Sequence, residues 1–345
     1  MKKIFKTLMA LLALLLVITG CSSGSGSSEG GSAEGGEAGN KTLYFIPVVD
    51  IGAYWNPMRK GAEDTAKELG YDLIVKTSPP AEAQKNEKHI GFINEAVANK
   101  AAGIAIAPIE ANMFKNPIKQ AGESGIPVIT FDGDLDDPAD RTAYVGTDNI
   151  QAGQELGRQG AKRLKEKGIT KGSIAFVTVD RAMPTMINRE KGIKEGFEEV
   201  MGEDAKNFKY LETIQDRDQA AVSKEQLEGQ ITSNKDLVLV FSMGSEGPDV
   251  GVMEAISSQG KAGEILHFGF DYTPTWEKGI ADGRITAIVD QDAYNIGVQV
   301  IKNLVKSIEG EKIDSVIPID VKFVEADELV EYGKEKEKLQ TTTTE

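Results

Sequence analysis

The alternation of short apolar runs with amphipathic segments constrains the fold of this chain more than any other feature. The first apolar run, Leu43 to Val49, has the length and composition of a buried strand. After it, apolar side chains return at the spacing of one helix face, at Met58, Ala62, Ala66 and Leu69. Gly70 then provides a helix stop, and a second apolar run follows. Such a pattern predicts β-α units that build a parallel sheet with helices on both faces.

These units form two series along the chain. The first has strand-like runs at Leu43 to Val49, Tyr71 to Lys76, Gly103 to Ala107, Ile126 to Phe131 and Ala143 to Val145. The second starts with a helix at Ile150 to Lys167 and has runs at Ser173 to Val179, Phe208 to Ile214, Leu237 to Phe241 and Ile265 to Phe270. We therefore predict an α/β protein of two Rossmann-like lobes with parallel sheets.

The start of the chain has the features of an export signal. Three early lysines precede an apolar stretch from Leu8 to Ile18, and small residues lead to Cys21. The stretch is shorter than the about 20 residues of a permanent membrane span. We expect residues 1–20 to be a cleaved signal. Residues 21–40 are mostly Gly, Ser, Glu and Ala, which predicts a flexible tether.

Charge and rare residues exclude several classes of function. The net charge of -15 disfavours nucleic acid as a partner. With His89 and His267 as the two histidines and no cysteine pair, we expect no metal site and no cofactor. The acidic segment from Asp134 to Asp140 lacks the spacing of a calcium loop and is expected to be solvated. Residues 335–338 are expected to be an exposed helix end, and Trp276 is expected to pack at a helix edge.

Polar side chains follow several apolar runs at the point where each strand should end. Asp132, Glu246 and Asp271 come after the runs ending at Phe131, Phe241 and Phe270. In open α/β sheets, ligands bind beyond the carboxyl ends of the strands. The sequence therefore predicts a polar ligand site at this edge.

Five stretches, in order, resemble the ribose-type (simple-sugar) family of solute-binding proteins of bacterial ABC importers. They are Lys60 to Gly70, Ile126 to Asp132, Tyr144 to Asn149, Phe268 to Asp271, and Gly279 to Gln291. The resemblance implies the periplasmic binding protein type I fold, with a hinge of three crossings near Thr147, Gln291 and Ile319. Lactose-repressor-like regulators share that fold, but an export signal rather than a DNA-binding helix-turn-helix precedes Thr42.

The resemblance also implies the division of the chain. The N-terminal lobe is expected to contain residues 41–147 and 292–319. The C-terminal lobe is expected to contain residues 148–291 and 320–332, followed by a charged and Thr-rich tail at 333–345. Ile18 to Cys21 resembles a lipobox, which implies lipidation of Cys21 and a membrane-anchored, extracytoplasmic protein, on a Gram-positive surface. The alternative is a stray or buried cysteine.

Members of this family place an aromatic pair on the sugar in the loop after the first strand. Counting back from Gly61 assigns this role to Tyr54 and Trp55, with Asn56 and Pro57 as N-cap and first helical residue. Alignment on Asn56-Pro57 would instead assign it to Met58 and Arg59. Packing without ligand contact is the alternative for the aromatic pair.

The resemblance implies four more ligand-binding residues, Asp132, Arg189, Asp271 and Gln291, with a weaker assignment for Thr147. Carboxylates, a guanidinium and an amide offer the paired acceptors and donors that neighbouring hydroxyls need. Helix capping by the aspartates and a surface ion pair of Arg189 are the alternatives.

Three positions depart from the ribose pattern, at Gly133, Glu246 and Arg217, where relatives commonly have Arg, Asn and an aromatic residue. Glu246 and, more weakly, Arg217 are still expected to bind ligand. An amino sugar, a sugar acid, a polyol or an unusual pentose are alternatives to ribose.

The function implied is capture of a monosaccharide or related polyhydroxylated molecule between two lobes, and its delivery to the transmembrane subunits of an ABC permease. We expect no catalysis and a monomer. A ligand sensor for a chemoreceptor or sensor kinase is the alternative. A glycosidase-like enzyme using Asp132 and Asp271 is a third hypothesis.

Overall fold

The computed structural model describes residues 40–49, 51–79, 82–244 and 246–340. The predicted export signal, Cys21 and nearly all of the predicted tether lie outside the described residues, as do Thr341 to Thr344. Within this part of the chain, strands and helices alternate, and the strands form two separate sheets.

The first sheet has six parallel strands in the order β12-β5-β4-β3-β1-β2. They are β1 (Thr42–Ile46), β2 (Asp72–Val75), β3 (Gly103–Ile106), β4 (Val128–Phe131), β5 (Ala143–Thr147) and β12 (Val316–Ile319). Strands β3 and β4 are buried along their whole length, because helices cover both faces of the sheet.

Four helices cover this first sheet. They are α1 (Gly52–Leu69), α2 (Lys85–Ala98), α3 (Ala111–Glu123) and α9 (Ala293–Ile308). Helices α1 and α9 pack with Leu43 and Phe45 on one face, and α2 and α3 pack with Tyr44 and Ile46 on the other. A Cβ atom on Gly61 would collide with the carbonyl of Tyr294, so the close packing of α1 on α9 requires glycine there.

The second sheet has seven strands, and its path runs β13-β11-β10-β9-β6-β7, with β8 paired to β6. They are β6 (Gly172–Thr178), β7 (Phe208–Tyr210), β8 (Ile214–Gln215), β9 (Leu237–Ser242), β10 (Leu266–Phe270), β11 (Ala287–Gln291) and β13 (Val321–Glu325). All pairs are parallel except β11 with β13. The strand predicted at Phe208 to Ile214 is therefore two short strands, which pair with opposite ends of β6.

Six helices accompany the second sheet. They are α4 (Asn149–Glu166), α5 (Pro184–Met201), α6 (Ala220–Ser233), α7 (Glu246–Ser258), α8 (Glu277–Ile280) and α10 (Leu329–Gln340). Asp148 caps α4, because its carboxylate accepts hydrogen bonds from the backbone N–H groups of Ile150 and Gln151, both at 3.0 Å.

The chain passes between the two sheets after β5, after β11 and after β12. The prediction of two α/β lobes with mostly parallel sheets and three crossings is thus confirmed, and β13 adds one antiparallel edge strand. No helix in the part of the chain that the structure describes is long and apolar enough to cross a membrane.

Two expectations about polar side chains hold only in part. Lys336 is 7% exposed, so residues 335–338 are not simply an exposed helix end. The acidic loop is not merely solvated, because Asp134 forms two short hydrogen bonds with buried Arg141, at 2.7 and 2.6 Å. Trp276 packs at a helix edge, as predicted, because it ends a 3-10 helix directly before α8, and it is completely buried.

Candidate functional site

One strand in each lobe ends on an aspartate with a left-handed backbone. Asp132 follows β4, Asp271 follows β10, and both have φ of 61°. Left-handed φ is uncommon for residues other than glycine, and such strained positions concentrate at functional sites. The same unusual turn thus brings one carboxylate to the carboxyl end of each sheet.

In the first lobe, Asp132 is held by two tyrosines. The Tyr54 hydroxyl donates to Asp132 Oδ1 at 2.7 Å, and the Tyr144 hydroxyl donates to the Asp132 carbonyl at 3.2 Å. Burial raises the pKa of Asp132, while the hydrogen bond from Tyr54 and the charge of Arg189 lower it. Burial and the neighbouring Asp132 raise the pKa of Tyr54, so this phenol remains a hydrogen-bond donor.

The predicted aromatic pair lies in the first turn of α1. The rings of Tyr54 and Trp55 are 5.1 Å apart in an edge-to-face arrangement, and both are half-buried. The helix begins at Gly52, so the predicted N-cap at Asn56 is wrong. Pro57 therefore lies inside the helix, in its second turn, where its missing N–H removes one i→i−4 hydrogen bond.

The alternative register for the aromatic pair places Met58 and Arg59 against the ligand. Met58 is completely buried in the core of the first lobe. Arg59 donates to Glu63, one turn further along α1, at 2.7 Å. A completely buried side chain offers no surface to a ligand, which favours the register with Tyr54 and Trp55.

In the second lobe, Asp271 is held through both its side chain and its backbone. Gln291 Nε2 donates to the two carboxylate oxygens at 2.9 and 3.1 Å. Trp276 Nε1 donates to the Asp271 carbonyl at 2.8 Å. Burial raises the pKa of Asp271 to about 6; the charge of Arg189 opposes this rise, and the charge of Asp290 adds to it.

The charge of Arg189, in the second lobe, acts on both carboxylates. Its side chain on α5 is 5% exposed, and its guanidinium lies 4.1 Å from the centre of the Phe270 ring. Nε donates to Asn149 Oδ1 at 2.8 Å and Nη1 donates to the Met243 carbonyl at 3.0 Å. Arg189 is thus not a surface ion pair, and within the described ranges its Nη2 has no protein partner.

The carboxyl end of the first sheet lies close to Arg189 of the second lobe, because β5 ends at Thr147 and Arg189 donates to Asn149, two residues further on. The charge of Arg189, in the second lobe, lowers the pKa of Asp132 in the first. Likewise, the charge of Asp271 raises the pKa of Tyr54. Five predicted residues therefore meet in one place: Tyr54, Asp132, Arg189, Asp271 and Gln291.

The remaining predicted residues differ in their relation to this group. Trp55 is next to Tyr54, and Thr147 lies at the end of β5, with a buried hydroxyl that has no partner among the described residues. Glu246 and Arg217 are exposed, and no hydrogen bond found in the described part of the chain joins either to the five. A Cβ atom on Gly133 would lie 2.4 Å from the carbonyl oxygen of Pro108. The arginine common in ribose binders would therefore not fit this backbone.

Asn149 and Asp249 were not predicted. Asn149 orients Arg189 and lies at the end of one of the resembling stretches, which was an available signal. Asp249 gave no signal, because an acid in the first turn of a helix, here α7, is common and does not by itself indicate burial. It is completely buried, and burial raises its pKa well above the usual range.

Asp249 lies at one end of a buried chain of polar contacts, in which the Ser242 hydroxyl donates to its carboxylate. Its Oδ1 lies 2.7 Å from Ser242 Oγ, which lies 2.9 Å from His267 Nε2. Burial lowers the pKa of His267 to about 3, so the ring is neutral and its one N–H, at Nδ1, donates to the Arg284 carbonyl.

Among the described residues, no group of histidine, cysteine, aspartate and glutamate side chains could hold a metal ion. The site brings together hydrogen-bond donors and acceptors from Tyr54, Asp132, Arg189, Asp271 and Gln291. Paired donors and acceptors of this kind suit the binding of a polar ligand.

The profile of the periplasmic binding protein domain matches residues 43–312. The chain belongs to the periplasmic binding protein family. It is 27% identical over 268 residues to the ribose import binding protein of Salmonella typhimurium, covering 77% of this chain and 84% of the relative. It is also 27% identical over 275 residues to the D-allose-binding periplasmic protein of Escherichia coli, covering 77% and 83% of the two chains.

A solved ABC transporter solute-binding protein of Burkholderia graminis, in complex with D-arabinose, has a TM-score of 0.73 to this chain. The two are 25% identical, and the match covers 86% of this chain and 99% of the other. The predicted ribose-type family and periplasmic binding protein fold are thereby confirmed. These relatives are binding proteins of transport systems, in agreement with the prediction that this member is not an enzyme.

Proposed function

We propose that this periplasmic binding protein captures a monosaccharide or a related polyhydroxylated molecule between its lobes and delivers it to an ABC permease. The observation that carries the proposal is the meeting of two left-handed strand-end carboxylates, one from each lobe, around buried Arg189. The relatives named for ribose, D-allose and D-arabinose support a sugar as ligand.

The site offers the groups that a sugar requires. Asp132 and Asp271 accept hydrogen bonds from hydroxyls, and Arg189 Nη2 donates. Trp55, beside Tyr54, stacks on the apolar face of the ring. Charge-assisted hydrogen bonds of about 1.5 to 3 kcal/mol each are sufficient for micromolar binding, about -8 kcal/mol, after ordering costs. Hinge closure, as known for periplasmic binding proteins, would bring both carboxylates onto one ligand.

The ligand we propose is a polar or charged relative of ribose rather than ribose itself. Gly133 supplies no guanidinium where ribose binders commonly have one. Glu246 and Arg217 add charges near the second lobe's edge of the site, and we propose that they contact the ligand when the lobes close. An amino sugar, a sugar acid, a polyol and an unusual pentose all match this charge pattern.

For location, we propose a lipid anchor on Cys21, with residues 22–40 as a tether that holds a monomeric binding domain at the outer face of a Gram-positive membrane. The support is the sequence of the first forty residues. The proposed lobe boundaries are those expected above, at residues 41–147 with 292–319 and residues 148–291 with 320–332.

Calorimetric titration against pentoses, hexoses, polyols, amino sugars and sugar acids tests this function. We expect one compound, or a small set sharing a stereochemistry, to bind with a dissociation constant of about micromolar or tighter. The protein should first be unfolded and refolded, so that retained ligand is removed. A refolded protein that binds no compound of this panel would contradict the proposal.

A further inference from the structure

The C-terminal helix α10 contacts both lobes and lies outside the residues that match the family profile, which end at 312. It packs against β13 of the second lobe and against α1 of the first. Two of its polar side chains, those of Tyr332 and Lys336, are buried, at 8% and 7% exposure. Buried polar groups require partners, and both find the same one.

That partner is Asp290, a buried carboxylate near the end of β11. The Tyr332 hydroxyl donates to Asp290 Oδ2 at 2.6 Å, and the Lys336 ammonium forms an ion pair with the same oxygen. Asp290 Oδ1 accepts from the backbone N–H of Tyr272 at 2.7 Å. The carboxylate is therefore hydrogen-bonded on both oxygens, and among the described residues its ion pair comes from α10.

Asp290 is adjacent in structure to the ligand-site carboxylate. Asp290 accepts a hydrogen bond from the backbone N–H of Tyr272, the residue after Asp271. This hydrogen bond holds the left-handed turn at Asp271 in place. The residue after Asp290 is Gln291, whose amide donates to Asp271. Contacts on α10 thus reach Asp271 through one intermediate residue.

Asp290 and Asp271 also interact electrostatically. Besides burial, the charge of Asp290 raises the pKa of Asp271, and Arg189 and Gln291 lower it. The other ionisable groups around this chain of contacts are Tyr54, Asp249, Tyr272, Glu277, Asp292, Lys322 and Glu337. Lys336 lies against Asp290, so its positive charge offsets the repulsion that Asp290 exerts on Asp271.

We propose that Tyr332 and Lys336 of α10 are positioning residues for the ligand-binding carboxylate Asp271 and act through Asp290. The inference rests on the proposed function for the role of Asp271 in binding. The coupling between α10 and Asp271 can be measured without any ligand. Lys336→Met removes the ammonium and keeps the chain length, and Lys336→Arg restores the charge.

The test is a titration of the Asp271 carboxyl carbon by ¹³C NMR in the ligand-free protein, with the signal assigned by its loss in Asp271→Asn. Lys336→Met should raise the pKa of Asp271 by about half a unit or more, because Asp290 keeps its two other hydrogen bonds and its charge is no longer offset. Sugar affinity should then fall about threefold at pH 5.5 and change little at pH 8.

The matched control is Lys334→Met, which removes an exposed ammonium of the same helix that pairs with Glu331 at the surface. It should leave the Asp271 titration unchanged. Lys336→Arg should behave like the wild type. If Lys336→Met does not fold, Tyr332→Phe removes a single oxygen that donates to Asp290 and should shift the titration in the same direction.

An Asp271 titration that is the same in wild type and Lys336→Met, or that shifts equally in Lys334→Met, would overturn the positioning role. The two proposals can fail separately. If the titration shifts as expected and no sugar binds the wild type, the positioning role stands and the proposed ligand class fails. If sugar binds and the titration does not shift, the proposed ligand class stands and the positioning role fails.

Discussion

At the scale of single residues, the ligand site depends on two aspartates whose positions are visible in the sequence and whose conformations are not. Asp132 and Asp271 were predicted because each follows an apolar run, and the carboxyl ends of parallel strands form the ligand edge of such folds. Their left-handed backbones and the partners Tyr54 and Gln291 come from tertiary contacts. Asp249 was missed because burial of an unpaired acid has no local sequence signal.

The raised pKa of Asp271, about 6, predicts opposite effects of pH on affinity and on stability. Sugar hydroxyls donate to the ionised carboxylate, so affinity should be constant above pH 7 and fall as the pH passes below 6. The free protein should change in the other direction. A carboxyl whose folded pKa lies above its unfolded value of about 3.9 favours folding more as it becomes protonated, so its stability contribution rises from pH 7 to pH 4.

Calorimetric affinities and melting temperatures between pH 4.5 and 8 test this for wild type and Asp271→Asn. Asparagine tolerates the left-handed turn and does not titrate. The difference between the two proteins isolates Asp271 from the other acids with raised pKa. Parallel pH profiles for the two proteins would contradict the assignment.

At the scale of elements, most strands could be predicted, and two helices could not be placed correctly. Helix α1 starts at Gly52, five residues before Pro57, the first helical residue that the Asn56 cap predicted. The burial of α10 was missed because a charged sequence is usually solvent-exposed. Only the partner of Lys336, Asp290 on a distant strand, makes that burial stable.

The position of α1 makes Trp55 a reporter for the ligand. Trp55→Phe should remove most of the change in intrinsic fluorescence that sugar binding causes, because Trp55 is half-buried beside Tyr54 at the site. Trp276→Phe should retain most of that change and melt at a lower temperature, since Trp276 is completely buried and loses packing and its hydrogen bond to Asp271. The reverse pattern would show that the aromatic pair does not contact the ligand.

At the scale of the whole molecule, the sequence predicted two α/β lobes because periodicity repeats in two series. It could not predict the second lobe's antiparallel edge or the split of the Phe208 to Ile214 run, since both depend on which strands become neighbours. Because the carboxyl end of the first sheet lies close to Arg189 of the second lobe, two separate strand-end acids form one site.

Membrane attachment is a property of the whole chain that one residue tests. Cys21→Ser should abolish acylation, because Cys21 is the single cysteine of the sequence. The variant should be released into the medium or retain its signal, as measured by fractionation and intact mass. Normal processing with an unchanged acyl mass would contradict the proposed anchor.

The central claim is that one ligand is held by both lobes. It is tested most directly by calorimetric titration of the preferred sugar, at pH 7.5, into wild type, Asp132→Asn and Asp271→Asn. Each substitution should weaken binding about tenfold or more, because hydrogen bonds to a charged acceptor contribute roughly 1.5 to 3 kcal/mol. Asp314→Asn, an exposed acid outside the site, should bind like the wild type. Wild-type affinity in either Asp132→Asn or Asp271→Asn would contradict capture between the lobes.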